Sequence, residues 1–461
     1  MHKRKLDRDP TAGDTGNHDV AATAARPDDL DACASLFEWV RSNGGVTAPV
    51  AVASQDGLRA LVATRDIARG SHAIDVPASL LLTLGTAMKS RAGLALAPIA
   101  DRLHPRSILA THLILSRRDR TFPYRYVDTL PSSQDDHPVL CSEELFRALA
   151  GTSAGTIAAQ IKATIQADHQ QISNCLPMKD MVDLEEFRWA FCNVLSRTFN
   201  VKLGTGEFQL VMTPVVDLLN HSDRPNCLMV TSADRIHVEA LHDITRGDEL
   251  TISYGELPNI ALLAIWGFCL ERNSRNQVLL AVPTVTEELV RFSLSSERTG
   301  DSFRFWSGSI APRYVSLETQ KLFAFLRSRQ SLPFKDQWST ETRMDAYSQP
   351  ISRQQEIGVL HDLLAACNAK ADSIRKHASA SDSAMQIHPL ARAAALAAQG
   401  ELDVLSHFTH LAEHAIETLE IDDVESARVS LSGITDEGYA DALRASWETL
   451  WPSHASLPKK A

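Results

Sequence analysis

The spacing of apolar positions changes repeatedly along the chain. In DDLDACASLFEWVRSNGG, residues 28–45, Leu30, Cys33, Phe37 and Val40 fall at helical spacing. Asp28 or Asp29 can cap that helix and Gly44–Gly45 can stop it. From 50 to 83 the period shortens: VAVASQDGLRALVATRDIARGSHAIDVPASLLLT contains short β-rich runs broken at Asp56–Gly57 and Arg69–Gly70. Two or three strands with tight turns are predicted there. Helical spacing then dominates from about 90 to 199, as in SILATHLILSRR and LEEFRWAFCNVLSRTF, with an irregular Pro/Asp/Ser stretch near 121–142. Strand-like runs return over about 208–254 (FQLVMTPVVDLL, CLMVTSADRIHVEAL, DELTISYG). From about 285 the pattern is mostly helical again, and the Ala-rich stretch 391–398 favours helix and close helix packing. Residues 1–28 have almost no large apolar side chains and are predicted to be a disordered tail. The last dozen residues, LWPSHASLPKKA, are expected to fray.

The order is therefore helix, strands, helical insert, strands, helical tail. Strands and helices do not alternate, which argues against a doubly wound parallel sheet and for an α+β fold with a separate helical domain. A length of 461 residues suits two or three packed units. Hydrophobic residues at 44% and charged residues at 22% are ordinary for a folded chain. The formal charge of −11 disfavours non-specific attraction to nucleic acid or an anionic membrane and is compatible with a basic protein partner. No apolar run approaches the ~20 residues of a spanning helix. Nor does an apolar segment follow the basic N-terminus, so a secretory signal is not expected. Seven cysteines without regular spacing do not make a disulfide framework, so a reducing compartment, cytoplasmic or nuclear, is expected.

Several chemistries lack their motif. The sequence has no GxxxxGK[ST], HExxH or GxGxxG, and no cysteine pair at CxxC spacing. His407, His410 and His414 fall along one helical stripe, but in an Ala- and Leu-rich setting they read as a partly exposed helix face. No metal is expected.

One constellation carries chemistry: TPVVDLLNHSDRPNC, residues 213–227, followed by GDELTISYGELPN, residues 247–259. Singly, Asn220–His221 reads as a turn and Tyr254 as packing. Together, NHSxxPN and a strand ending in SYG resemble the two C-terminal motifs of the SET domain, a family of S-adenosylmethionine-dependent protein methyltransferases. FEWVRSNGG, LVATRDIARG, DVPASLLLT, FPYRYVDTLP and FRWAFCNVLSRTF resemble the branch typified by the Rubisco large-subunit methyltransferase. The resemblance covers about residues 30–283; from 285 on it rests on length and helicity.

The resemblance implies a β-rich SET core over 29–283 with a helical insert at about 90–199, a knot-like crossing of the NHS segment near Tyr254, and an all-α substrate-binding domain over 284–461. It implies S-adenosylmethionine as methyl donor, a protein substrate and a monomer, with no direct nucleic-acid or membrane partner. Tyr254 matches the active-site tyrosine, orienting amine and methyl; a phenol with an ordinary pKa near ~10 is not a base at neutral pH. Asn220 and His221 match the cofactor-binding pair, and Arg197 matches an arginine for the donor's carboxylate. Phe199, Trp266 and Phe268 would line the substrate channel. Histidine-directed members have Asn where Phe199 stands, so lysine is the expected target. Asp217 is expected to brace the knot.

Two positions depart from the pattern. The family's GxG aligns with Leu58–Arg59–Ala60, so a methyl group at Ala60 lies where the donor packs, with Gly57 one residue away. Trp266 stands where relatives often have Tyr. The readings that remain are a protein-lysine methyltransferase, a histidine-directed enzyme of the same fold, and a catalytically weak SET-like binding module.

Overall fold

The computed structural model describes residues 27–451 apart from 48, 56–57, 133, 135, 176–177, 179–180, 205, 284–288, 296–318, 331–346, 379–387 and 435–436. The expected N-terminal tail up to residue 26, Gly57 and the chain end from 452 lie outside the described residues.

Helix α1, Pro27–Ser42, starts at the tail's expected last residues, with proline in the first turn, where its missing N–H costs nothing. Cys33, Leu36, Phe37 and Val40 are buried on its inner stripe, and Gly44 takes a left-handed φ of 83° just beyond it. Four strands follow: β1 (Val50–Gln55), β2 (Leu58–Ala63), β3 (His72–Pro77) and the short β4 (Leu82–Thr83). The insert is helical: α2 (Leu84–Met88), α3 (Arg91–Leu96), α4 (Pro105–Asp119), α5 (Tyr124–Val127), α6 (Glu143–Leu149), α7 (Ser153–Asn174) and α8 (Leu184–Arg197).

The helical run ends two residues short of Phe199. Thr198–Lys202 is strand β5, which pairs antiparallel with β6 (Phe208–Met212). Beyond them come β7 (Asn220–His221), β8 (Cys227–Thr231), β9 (Arg235–Ala240), β10 (Thr251–Ile252) and helix α9 (Asn259–Trp266). The strands form small sheets: β1–β2, β3–β9–β8, β4–β6–β5 and β7–β10. In β9 the period-two pattern is explicit: Ile236, Val238 and Ala240 are buried, while Arg235, His237 and Glu239 face outward.

The predicted boundary at 283/284 falls inside a hairpin. Strand β11 (Gln277–Pro283) pairs antiparallel with β12 (Leu289–Ser295), a strand where helix was expected. Val278 and Leu280 of β11 pack in a second core with the C-terminal helices, so the hairpin belongs to that part of the chain. The helices Thr319–Gln330, Arg353–Ala378 and Pro389–Glu420 contribute to that core.

The last of these helices seats in both cores. Leu390, Ala393, Ala394 and Ala397 join the first, and Ala398, Val404, Phe408 and Leu411 the second. Small alanines permit the close approach: the Cys269 thiol lies 3.2 Å from the Ala393 carbonyl. Farther along, Glu401 is fully buried, accepts a hydrogen bond from the Ser153 N–H at 2.8 Å and lies 3.7 Å from Lys370 Nζ. The three histidines of the predicted stripe diverge. His407 packs edge-on against Phe408, His410 is exposed beside Glu413, and His414 meets the Ser430 carbonyl at 2.8 Å. No helix among the described residues is long and apolar enough to cross a membrane.

Candidate active site

The site is built where two distant segments lie side by side. Strands β7 and β10 pair in parallel, Thr251 opposite Asn220 and Ile252 opposite His221. A two-residue ladder is weak alone, and side chains lock it. Asn226 of the NHSxxPN segment donates from Nδ2 to the Glu249 carbonyl at 2.7 Å and accepts from the Thr251 N–H at 2.8 Å. Asn220 donates from Nδ2 both to Glu249 Oε1 at 2.7 Å and to the Arg59 carbonyl at 2.9 Å. That second bond ties the knot to β2 beside Ala60, which is buried. Both side-chain hydrogen bonds of Asn220 among the described residues use Nδ2, which leaves its Oδ1 open as an acceptor.

Tyr254 lies two residues beyond the end of β10. Its N–H donates to His221 Nδ1 at 3.1 Å, and its hydroxyl donates to the Leu219 carbonyl at 2.8 Å. With its proton committed, the phenol oxygen turns its lone pairs to whatever enters the site. Burial pushes the Tyr254 pKa up, so the ring stays a neutral phenol.

Three more rings enclose it: His221 at 5.3 Å between centroids, Trp266 at 5.2 Å and Phe268 at 6.5 Å. Trp266 and Phe268 flank Gly267, which ends α9 with a φ of 81°; that left-handed cap lets the residues on either side both reach Tyr254. The Trp266 indole N–H donates to the Ser196 carbonyl at 2.8 Å, fixing the ring beside the end of α8. Phe199 enters three residues later on β5, half-buried against the same core, and no aromatic pair among the described residues includes it.

Arg197, the last residue of α8, meets Asp217 on the turn before β7. Its Nη1 donates to the Asp217 carbonyl at 2.9 Å and to Oδ2 at 3.1 Å. The same Oδ2 accepts the Tyr126 hydroxyl at 2.6 Å. Asp217 is thus a brace, as expected, joining α5, α8 and the knot. Val215 begins its turn with a φ of 71°, a strained backbone for a β-branched residue. Burial opposes charge on Arg197, but the Asp217 carboxylate, with Tyr126 and Tyr254, outweighs it and the pKa is raised. Burial, then Asp217, pushes the Tyr126 hydroxyl well above the ordinary phenol range. Arg197 Nε is buried without a hydrogen-bond partner among the described residues, and the side chain keeps 13% of its surface open.

The structure therefore gathers Arg197, Asn220, His221, Tyr254, Trp266 and Phe268 around one crossing, and brings the backbone beside Ala60 to it. Tyr126, Asn226 and Glu249 hold the arrangement and were missed as site residues. Tyr126 lay inside the quoted FPYRYVDTLP motif, and nothing local marks it as the partner of a residue 91 positions later.

His137 supports the site from behind: Nε2 lies 2.8 Å from the Ile265 carbonyl on α9, and Nδ1 accepts the Val139 N–H. Burial holds its pKa down at about 4. The unfolded chain takes up this proton near ~6.5 and the folded one only near 4. Stability is therefore full above the unfolded value and falls as pH drops, by at most ~1.4 kcal/mol per pH unit for this one group. His137→Gln, which keeps a donor for Ile265, is expected to flatten that loss; denaturant unfolding at pH 6.5 and 4.5 checks it, and equal slopes in both proteins remove His137 as the cause.

Residues 58–255 match the SET domain family. The match covers less than half of the chain. Among solved structures the chain superposes on the SET domain of LSMT bound to lysine and AdoHcy with a TM-score of 0.67 at 19% identity, over 90% of this chain and 99% of that one. Rubisco LSMT bound to AdoMet gives 0.65, also at 19% identity, over 90% and 99%. The fold therefore resembles that of Rubisco LSMT, a β-sheet core followed by helices. Among curated proteins, the actin-histidine N-methyltransferases of Rhinolophus ferrumequinum and Rattus norvegicus are each 30% identical over 265 residues, 53% of this chain and 43% of theirs. The chain spans less than half the length of these relatives.

Proposed function

We propose that this chain is an S-adenosylmethionine-dependent protein methyltransferase whose target is a lysine side chain. The observation that carries the proposal is the β7–β10 crossing, which sets the Tyr254 phenol among three rings and beside the Asn220–His221 pair. The donor brings an activated methyl on sulfur, so the protein needs no metal or covalent nucleophile for the transfer. The donor's amino-acid end is a zwitterion. Arg197 offers an Nε–H without a partner among the described residues, and the Asn220 side-chain oxygen Oδ1 offers an acceptor, which together fit a carboxylate and an ammonium. Ala60 presents a methyl group where the SET resemblance implies a glycine, which argues for weaker donor binding than a glycine there would give.

A lysine with a pKa near ~10.4 is neutral in only about one molecule in a few thousand at pH 7. The rings of His221, Tyr254, Trp266 and Phe268 displace water from the amine and disfavour its cation. Tyr254 then orients the neutral nitrogen through its oxygen lone pairs without taking a proton, since burial raises its own pKa. Phe199 favours lysine, because an apolar ring suits an alkyl chain better than an imidazole that seeks a hydrogen bond. The similarity to actin-histidine N-methyltransferases favours the second reading, a histidine target. We place the protein in a reducing compartment, cytosol or nucleus, since all seven cysteines are free and buried.

The test is incubation of the chain with a cell extract and methyl-tritiated donor, then sequencing of the labelled peptide. Label on lysine is expected; label on histidine overturns the lysine assignment. No label, with no thermal shift at millimolar donor, overturns the methyltransferase reading in favour of a binding module. Phe199→Asn is expected to lower lysine methylation by about tenfold or more, a cost of ~1.4 kcal/mol in transition-state binding. An unchanged lysine rate removes Phe199 from specificity.

A further inference from the structure

We propose that His72, His237 and Glu239 form a surface site for a zinc-class divalent cation that pins strand β3 to strand β9. The inference is independent of the methyltransferase reading and revises the expectation that the chain has no metal site. His237 and Glu239 are two residues apart on β9, so their side chains leave the same face of the sheet, opposite the buried Ile236, Val238 and Ala240. His72 pairs with Glu239 across β3–β9, and a register shift between His72 and Ile74 locally disrupts this end of the strand pair. The His72 and His237 rings stack at 4.0 Å between centroids, 26° from parallel. One ligand atom from each of the three side chains lies within 4.8 Å of the others. Tetrahedral zinc, with bonds of about 2.1 Å, needs ligands about 3.4 Å apart, a difference that rotation of outward-facing side chains can close.

None of the three side chains makes a hydrogen bond or ion pair among the described residues, so binding gives up only the stacking of the two imidazoles. Asp75, opposite His237 in the ladder, is already held by Arg235 and does not compete. Two imidazoles and one carboxylate suit zinc, cobalt or nickel and not magnesium or calcium, which prefer oxygen ligands. Three protein ligands leave a fourth position for water. A cation there cross-links two strands beside a local irregularity and stabilises the folded form by linkage. Sequence spacing did not show the cluster, because His72 lies far along the chain from the His237-x-Glu239 pair.

The experiment uses the full chain stripped with chelator and titrated with zinc in a calorimeter, with melting followed in parallel. A single tight equivalent that raises the melting temperature, reversed by chelator, is expected. His72→Ala and His237→Ala are each expected to weaken zinc by about tenfold or more and abolish the increment, leaving the metal-free melting temperature unchanged. Glu239→Gln is expected to fall between them and the unaltered chain. Cobalt in the same site is expected to show the strong visible absorption of four-coordinate geometry. No heat at micromolar zinc, or an equivalent that survives in the His72→Ala/His237→Ala double variant, overturns the proposal.

Discussion

Asp217→Ala is expected to destabilise the SET core by ~3–5 kcal/mol, the cost of breaking a buried ion pair by removing one partner. Asp217 has only 1% of its side chain exposed and faces Arg197 at 3.1 Å. Without it the Arg197 guanidinium, whose Nε already lacks a partner among the described residues, stays in the interior with no counter-charge. The Tyr126 hydroxyl loses its acceptor at the same stroke, with a further cost of order ~1–3 kcal/mol that overlaps the first instead of adding to it. Against a total stability of ~5–15 kcal/mol, such a loss lowers the denaturation midpoint visibly. Asp217→Asn keeps the volume and an acceptor for Tyr126 but not the charge, and is expected to fall between. The double variant Asp217→Leu/Arg197→Met removes both charges together and is expected to be more stable than Asp217→Ala, because no unpaired ion remains. Denaturant unfolding of the four proteins tests this; an Asp217→Ala midpoint equal to that of the unaltered chain means the brace is solvent-screened and contributes nothing.

The same constellation shows what the sequence could reveal. Asn220–His221 and Tyr254 announce themselves because each lies in a short contiguous motif, and Trp266 and Phe268 because they flank one glycine. Their assembly was legible because each motif sits on or just beyond a short strand, and the parallel β7–β10 pair is the contact that resemblance to SET proteins implies. Tyr126 was not legible: an apolar aromatic in a helix turn looks like packing, and only the fold shows that its hydroxyl meets a carboxylate. Strand β5 was missed because it leaves α8 without a Gly or Pro break, so that Phe199 reads as one more helical residue. Strand β12 was missed although Val290, Phe292 and Leu294 alternate with Arg291, Ser293 and Ser295, a clean period of two, because the long helical patterns beyond it set the reading. The His72 cluster follows the same rule as Tyr126: cross-strand register, which no local pattern encodes, creates it.

Tyr254→Phe is expected to lower turnover about a hundredfold, or ~2.7 kcal/mol, while leaving the fold and the KM for S-adenosylmethionine nearly unchanged. The ring survives the change, so its packing against His221, Trp266 and Phe268 survives too. What is lost is one oxygen: the bond to the Leu219 carbonyl and the lone pairs that orient the amine. Orientation appears in kcat because it is used only when nitrogen, methyl and sulfur stand in line. The pH profile separates orienting from base catalysis. If the phenol only orients, the rise of rate with pH reports the lysine ammonium losing its proton, and Tyr254→Phe shifts the whole curve down without changing its shape. If the phenol were the base, the rising limb would belong to Tyr254 and vanish with it. Burial raises the Tyr254 pKa, and its proton is already donated to Leu219, so ionisation near neutral pH is disfavoured on both counts. The parallel downward shift is therefore the expected result, and loss of the alkaline rise in Tyr254→Phe would reassign the residue as the base.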